Sequence, residues 1–207
     1  GWKKGVGLAG ILILSGYFSI ANGQYQTGLE VLAAEGFSAL NKKNIGVVVN
    51  HTSIDQHSTH LIQLAYHNGV QIRAVFTPEH GYRGVVEAGE EVEDGIESLT
   101  GAPIYSLYGE NKKPTPQMLS GLDVIIFDMQ DIGVRYYTYI STLTYIIEAA
   151  AENEVQIWIL DRVNPLGRGV QGPTIKNAFT SFVGMHPIPV RHGMTIGELA
   201  TMINEEG

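Results

Sequence analysis

Short, largely apolar runs that end abruptly in polar residues constrain this chain more than any other feature. Asn44 to Asn50, Val70 to Phe76, Leu122 to Phe127 and Gln156 to Leu160 read as buried strands, with Ala102 to Tyr108 as a further one. Between them lie segments with apolar residues at helical spacing: Gly28 to Leu40, Ser58 to Asn68, Thr115 to Leu119, Thr138 to Asn153 and Thr195 to Asn204. In the last of these, Thr195 and Glu198 have the spacing of a capping box. Apolar strands alternating with helices predict an α/β fold whose mainly parallel sheet is covered by helices on both faces. The stretch from Val163 to Arg191, rich in Pro and Gly, is predicted to be irregular.

The chain has 207 residues, 44% apolar and 16% charged, a globular balance sufficient for one good core. A net charge of −8 gives it no bulk attraction for nucleic acid or anionic lipid. It still permits a pocket where a few Arg and His gather around an anionic small molecule. The absence of Cys excludes disulfides, a thiol nucleophile and Cys-ligated zinc. Near the N-terminus, Lys3 and Lys4 precede an apolar run from Val6 to Phe18, and Ser19-Ile20-Ala21 follows as small-x-small. That order predicts a secretory signal peptide over residues 1–21, hence an exported, periplasmic protein, or an extracellular one in a cell without an outer membrane. The run is shorter than the roughly 20 residues a membrane span needs, so membrane association is expected only through an uncleaved leader. The chain ends on Glu205-Glu206-Gly207 at the close of a predicted helix, so residues 22–207 are read as a catalytic domain truncated at its C-terminal end.

Polar clusters sit just after the predicted strands. Asn50-His51-Thr52-Ser53, Thr77-Pro78-Glu79-His80-Gly81-Tyr82-Arg83, Asp128-Met129-Gln130-Asp131 through Arg135, and Asp161-Arg162-Val163-Asn164-Pro165 each take such a position. In a parallel sheet these ends share one edge, and ligands bind in the crevice outside it. Glu79 suits a general acid if burial raises its pKa; the bland alternative is an ordinary turn Glu. Asp128 can position water, bind a metal or cap the next turn, and Asp131 can pair with Arg135. Tyr136, Tyr137 and Tyr139 supply rings on which sugars stack, or plain packing. Asp161-Arg162 reads equally as an internal ion pair. Arg191 precedes the last helix, whose N-terminus suits an anion. His60 and His67 lie seven apart on a predicted helix, and a solvated face is the simpler reading than a metal site. GxSxG, P-loop and HExxH motifs are absent.

Taken together, Phe76-Thr-Pro-Glu-His-Gly-Tyr-Arg-Gly84, Phe127-Asp-Met-Gln-Asp-Ile-Gly-Val-Arg-Tyr-Tyr-Thr-Tyr139, Leu160-Asp-Arg-Val-Asn-Pro165 and Arg191-His-Gly-Met-Thr-Ile-Gly-Glu-Leu199 resemble the DUF1343 family, which includes exo-β-N-acetylmuramidases of the NamZ type. The resemblance runs from about Gly28 to Gly207. It implies a Rossmann-like, doubly wound N-terminal domain, a smaller C-terminal domain beyond this sequence, and a site in the cleft between them. The implied activity is that of a glycoside hydrolase releasing N-acetylmuramic acid from the non-reducing end of peptidoglycan fragments, in cell-wall turnover and recycling, without a cofactor. The substrate partners would be muropeptides or the MurNAc-GlcNAc disaccharide. Glu79 is then the leading catalytic acid and Asp128 its charge partner. His51, His80, Arg83, Gln130, Arg135, Tyr137 and Arg191 are expected to line the sugar site, one of the arginines holding the lactyl carboxylate. Val163 stands where the family pattern expects Pro. The competing expectations are a metal-assisted hydrolase using Glu79, His80, Asp128 and His51, and a muropeptide-binding domain without catalysis.

Overall fold

The computed structural model describes residues 10–19, 24–78, 95–109 and 111–206. In chain order these form β1 (Ile11–Leu14), β2 (Tyr17–Ser19), β3 (Gln24–Gln26), α1 (Gly28–Ala34), β4 (Asn44–Val49), α2 (Leu61–His67), β5 (Gln71–Thr77), β6 (Gly95–Ile96), β7 (Pro103–Ser106), α3 (Pro116–Leu119), β8 (Val124–Asp128), α4 (Tyr139–Glu152), β9 (Gln156–Leu160), β10 (Gln171–Thr174), β11 (Pro189–Arg191) and α5 (Ile196–Glu206). Seven strands form one sheet in the order β1-β9-β8-β4-β5-β7-β6. Every pairing in it is parallel except that of β6 with β7. The expected α/β, doubly wound sheet is therefore what the chain adopts.

Alternation along each strand explains why helices cover both faces. Ile45, Val47 and Val49 of β4, Val124 and Ile126 of β8 and Trp158 and Leu160 of β9 pack with Leu29, Leu32, Leu61 and Ile62 of α1 and α2. Their neighbours Val48, Ile125, Phe127, Ile157 and Ile159 point the other way, onto Leu143, Ile146 and Ile147 of α4 and Leu199 and Ile203 of α5. A period of two along a strand with both faces apolar requires two helical layers, because each exposed aliphatic side chain would forfeit roughly 1.5–3 kcal/mol.

The helix expected over Gly28 to Leu40 is shorter. Thr27 and Glu30 cap its start reciprocally, and it stops at Ala34. Gly36 and Phe37 then take left-handed backbone, φ 60° and 55°, before a 3-10 turn at Ser38–Leu40. Burying the Phe37 ring completely holds this non-glycine residue in a conformation that costs energy locally. The irregular stretch after Val163 contains the antiparallel pair β10–β11 and a 3-10 turn at Asn177–Phe179. Ile11–Leu14, inside the run read as a leader, lies at the sheet edge in parallel register with Ile157–Leu160. No helix among the described residues is long and apolar enough to cross a membrane.

Candidate functional site

The chain runs β4, β5, β7 to one side of the sheet, then returns to place β8 and β9 on the other side of β4. The order of winding reverses between β4 and β8, and such a reversal is where ligands bind in open α/β sheets. Val49 pairs with Asp128 there, so Asn50 and Met129 leave the sheet side by side.

Asn50 is fully buried and satisfied on every side. Its Nδ2 donates to the Tyr139 hydroxyl (2.6 Å), and its Oδ1 accepts from Thr52 N (2.8 Å) and Thr52 Oγ1 (2.5 Å). Thr52 Oγ1 in turn accepts from Gln130 N (3.0 Å), and Ser53 Oγ donates to the Asp128 carbonyl. This relay ties the end of β4 to the end of β8. His60 supports it from outside: its Nε2 donates to the Asn50 carbonyl (2.9 Å), while Nδ1 accepts from Ile62 N (3.2 Å) and caps α2. Burial lowers the His60 pKa, outweighing the Asn50 carbonyl and the charges of Asp128 and Glu97. The imidazole is thus neutral, with its proton on Nε2.

Asp128 is 0% exposed, and Arg162 takes both its oxygens, Nε to Oδ1 at 2.7 Å and Nη2 to Oδ2 at 3.1 Å. Arg162 Nη2 also donates to the Ile54 carbonyl (3.1 Å). Burial pushes the Asp128 carboxyl up against the pull of Arg162. The pair clamps β8, β9 and the loop after β4 together and holds the Asp128 carboxylate below the surface. Asp161 does not pair with its neighbour Arg162, as one sequence reading had it. It caps α5 instead, accepting from Gly197 N (2.8 Å) and Thr195 Oγ1 (2.9 Å). A Cβ on Gly197 would stand 2.8 Å from Asp161 Cγ, so only glycine fits. The predicted box of Thr195 with Glu198 is present (2.9 and 3.2 Å).

Asp131 likewise does not pair with Arg135. Its Oδ2 accepts from Gly133 N (2.8 Å) and from His192 Nε2 (3.1 Å), whose Nδ1 accepts from Met194 N (3.2 Å). This buried pair joins the loop after β8 to the loop before α5. Arg135 sends Nη1 to the carbonyls of Pro173 and Ile188, both at 2.7 Å, and Arg191 sends Nη2 to the Leu166 carbonyl. Both arginines thus brace the β10–β11 region. The rings of Tyr137 and Tyr139 meet edge to face, 4.6 Å between centroids. Of the residues expected to line the sugar site, Gln130, Arg135, Tyr137 and Arg191 belong to this interlocked region, and His51 stands exposed on the turn after β4. Glu79, His80 and Arg83 lie outside the described residues; the described chain reaches Pro78, buried at the end of β5 beside β4. Asn50, His60, Arg162 and His192 form a framework the sequence did not indicate: it placed Arg162 with Asp161 and His60 on a solvated helix face. Polar residues placed directly after, or paired across to, apolar strands were the signal available for them.

A cavity of about 530 Å3 lies two strands away, at the ends of β1 and β9, bordered by Ile13, Tyr25, Asp161, Asn164 and Glu198. Asp161, Asn164 and Glu198 in its wall cap α5 and brace the adjoining loops, so the β4–β8 strand ends are the better candidate for chemistry. His60 and His67 do not form a site, since His60 caps α2 and His67 is exposed at its end. Among the described residues no three His, Asp or Glu side chains gather as a metal site.

Residues 45–207 match the family model described as exo-β-N-acetylmuramidase NamZ, N-terminal. The chain is 45% identical over 183 residues to the peptidoglycan β-N-acetylmuramidase NamZ of Bacillus subtilis (strain 168), covering 87% of this chain and 44% of that protein. It also resembles the crystal structures of two DUF1343 family proteins from Bacteroides fragilis NCTC 9343, with TM-scores of 0.80 and 0.75 and identities of 43% and 40%. Each covers 87% of this chain, which spans 46% and 47% of theirs. The chain therefore spans less than half the length of the relatives it matches. With its doubly wound sheet, its polar strand-end framework and these matches, the chain belongs to the NamZ N-terminal domain family.

Proposed function

We propose that this domain carries the catalytic sheet edge of an exo-acting glycoside hydrolase that releases N-acetylmuramic acid from the non-reducing end of peptidoglycan fragments, in cell-wall turnover and recycling. The observation that carries this reading is the buried polar framework at the β4–β8 reversal, in a chain 45% identical to a peptidoglycan β-N-acetylmuramidase. Glycoside hydrolysis needs an acid at the leaving oxygen and a second group for water or the anomeric carbon. Glu79 is proposed as the acid: it follows Pro78, where the chain leaves the sheet edge next to β4. Asp128 contributes through Arg162, fixing the edge around which the sugar sits. Exposed His51, with Gln130 and Tyr137, is proposed to face the sugar, and His80 with it. Arg83, Arg135 or Arg191 is proposed to hold the lactyl carboxylate, for which a guanidinium is the fitting partner.

The test is to incubate the chain with MurNAc-GlcNAc and follow free N-acetylmuramic acid by mass spectrometry. Release that disappears in Glu79→Gln supports the reading; undiminished release in that variant removes Glu79 from the acid role. Release by a full-length relative but not by this chain assigns turnover to the two halves together and leaves this domain a binding role. Full activity after chelation disposes of the metal-assisted alternative.

Export is proposed from the basic, apolar and small-residue order of residues 1–21. The same apolar residues form β1, so cleavage after Ala21 would remove β1 and leave β9 as the sheet edge. N-terminal mass analysis of the exported protein decides it: a terminus near Asn22 supports the leader, and a retained Ile11–Leu14 overturns it.

A further inference from the structure

The side chain of Gln130 has lost half of its hydrogen-bonding choices to the fold. Its Nε2 donates to the carbonyls of Asp131 (2.7 Å) and Val163 (2.9 Å). Rotating the amide by half a turn would set its oxygen against two carbonyl oxygens, so the partners themselves settle which atom is nitrogen. The backbone is pinned as firmly, since Gln130 N donates to Thr52 Oγ1, which is held by Asn50. What remains is Oε1, without a partner among the described residues, on a half-buried side chain two residues past the end of β8.

Resting on the muramidase reading, we infer that Gln130 is a specificity-determining residue that accepts a hydrogen bond from the terminal sugar, through its carbonyl oxygen alone. A glutamine free to rotate takes donors and acceptors alike. One whose two N–H groups are committed takes only an N–H or O–H and turns a carboxylate away. It therefore does not serve the lactyl group; it serves the acetamido N–H or a ring hydroxyl. The oxygen is already oriented before substrate arrives, so no side-chain freedom is lost on binding. The tether to residue 163 runs through a backbone carbonyl. A Pro there, as the family pattern expects, would present the same acceptor, which is why Val163 leaves this device intact.

Two measurements test the inference. The first needs no substrate: in a nitrogen-15 NMR spectrum, the Gln130 side-chain amide, identified by its loss in Gln130→Met, should exchange with solvent at least about tenfold more slowly than that of exposed Gln117. Exchange as fast as that of Gln117 overturns the pinned orientation. The second compares MurNAc-GlcNAc with analogues whose terminal sugar carries a 2-O-acetyl group in place of acetamido, or lacks the 4- or 6-hydroxyl. Wild-type chain should discriminate about tenfold in kcat/KM, or in Kd where it only binds, against one of the three analogues, the worth of about 1.4 kcal/mol. Gln130→Met should erase that one discrimination and no other. The analogue affected identifies the donor. If wild-type chain handles the disaccharide and Gln130→Met leaves every ratio unchanged, the inference fails while the muramidase reading stands. If wild-type chain and a full-length relative both neither bind nor cleave the disaccharide, the muramidase reading fails and takes the inference with it.

Discussion

Replacing Arg162 by Met keeps most of the buried stem and deletes the charge. Asp128, 0% exposed, would then keep an uncompensated carboxylate or take up a proton, and Ile54 would lose a donor. Breaking a buried pair from one side costs about 3–5 kcal/mol, and a lost hydrogen bond about 1 more. The sum, roughly 4–6 kcal/mol, is a large part of the 5–15 kcal/mol typical of a whole domain. For a chain of this size it lowers Tm by at least about 8 °C. Because burial already pushes the Asp128 carboxyl up despite Arg162, the pair shapes the edge more than it stabilises it. Removing both charges, as in Asp128→Asn with Arg162→Met, should therefore cost clearly less than the two single changes added together, with a coupling of about 1.5 kcal/mol or more. Urea unfolding followed by far-UV circular dichroism measures all four proteins. The half-exposed ion pair of Lys113 with Glu152, 2.6 Å long, is the contrast: Lys113→Met should cost less than about 1 kcal/mol. An Arg162→Met protein within about 1 kcal/mol of wild type, or strict additivity in the double variant, would falsify the clamp.

Other consequences follow from the same frame. His60 is neutral in the fold with its pKa lowered, so below about pH 6.5 the unfolded chain binds more protons than the folded one. Its contribution to stability is whole above that pH and is lost as pH falls toward the lowered value. His60→Asn, which still caps α2, should show a shallower loss of stability between pH 7 and 5, and identical slopes would show that His60 does not titrate this way. Gly133 has φ +86°, and a Cβ there would run into the Asn164 side chain. Gly133→Ala should therefore cost about 2 kcal/mol or more in the same urea titration; a cost under about 0.5 kcal/mol would mean the two loops shift apart freely.

How much of this was legible beforehand depended on range. The runs at Asn44 to Asn50 and Gln156 to Leu160 and the helical spacing from Thr138 to Asn153 identified β4, β9 and α4, because a strand's or helix's buried face is written in its own period. The Thr195 and Glu198 box was legible for the same reason: its partners lie three residues apart. Gly36 and Phe37 ended α1 early because burial of one ring outweighed local propensity.

The position of polar residues directly after apolar strands was enough to collect them at one edge, since parallel strands all end on the same side. It was not enough to assign partners. Asp128 found Arg162 thirty-four residues away, Asp131 found His192 sixty-one away and Asn50 found Tyr139 eighty-nine away. Nearer candidates, such as Arg135 for Asp131 or Arg162 for Asp161, were passed over because side chains adjacent in sequence leave a strand or turn in different directions. Sequence alone determined which chemistry stands at the sheet edge. Strand order, and the directions it imposes on each side chain, decided which of those groups hold the framework and which remain free to meet a substrate.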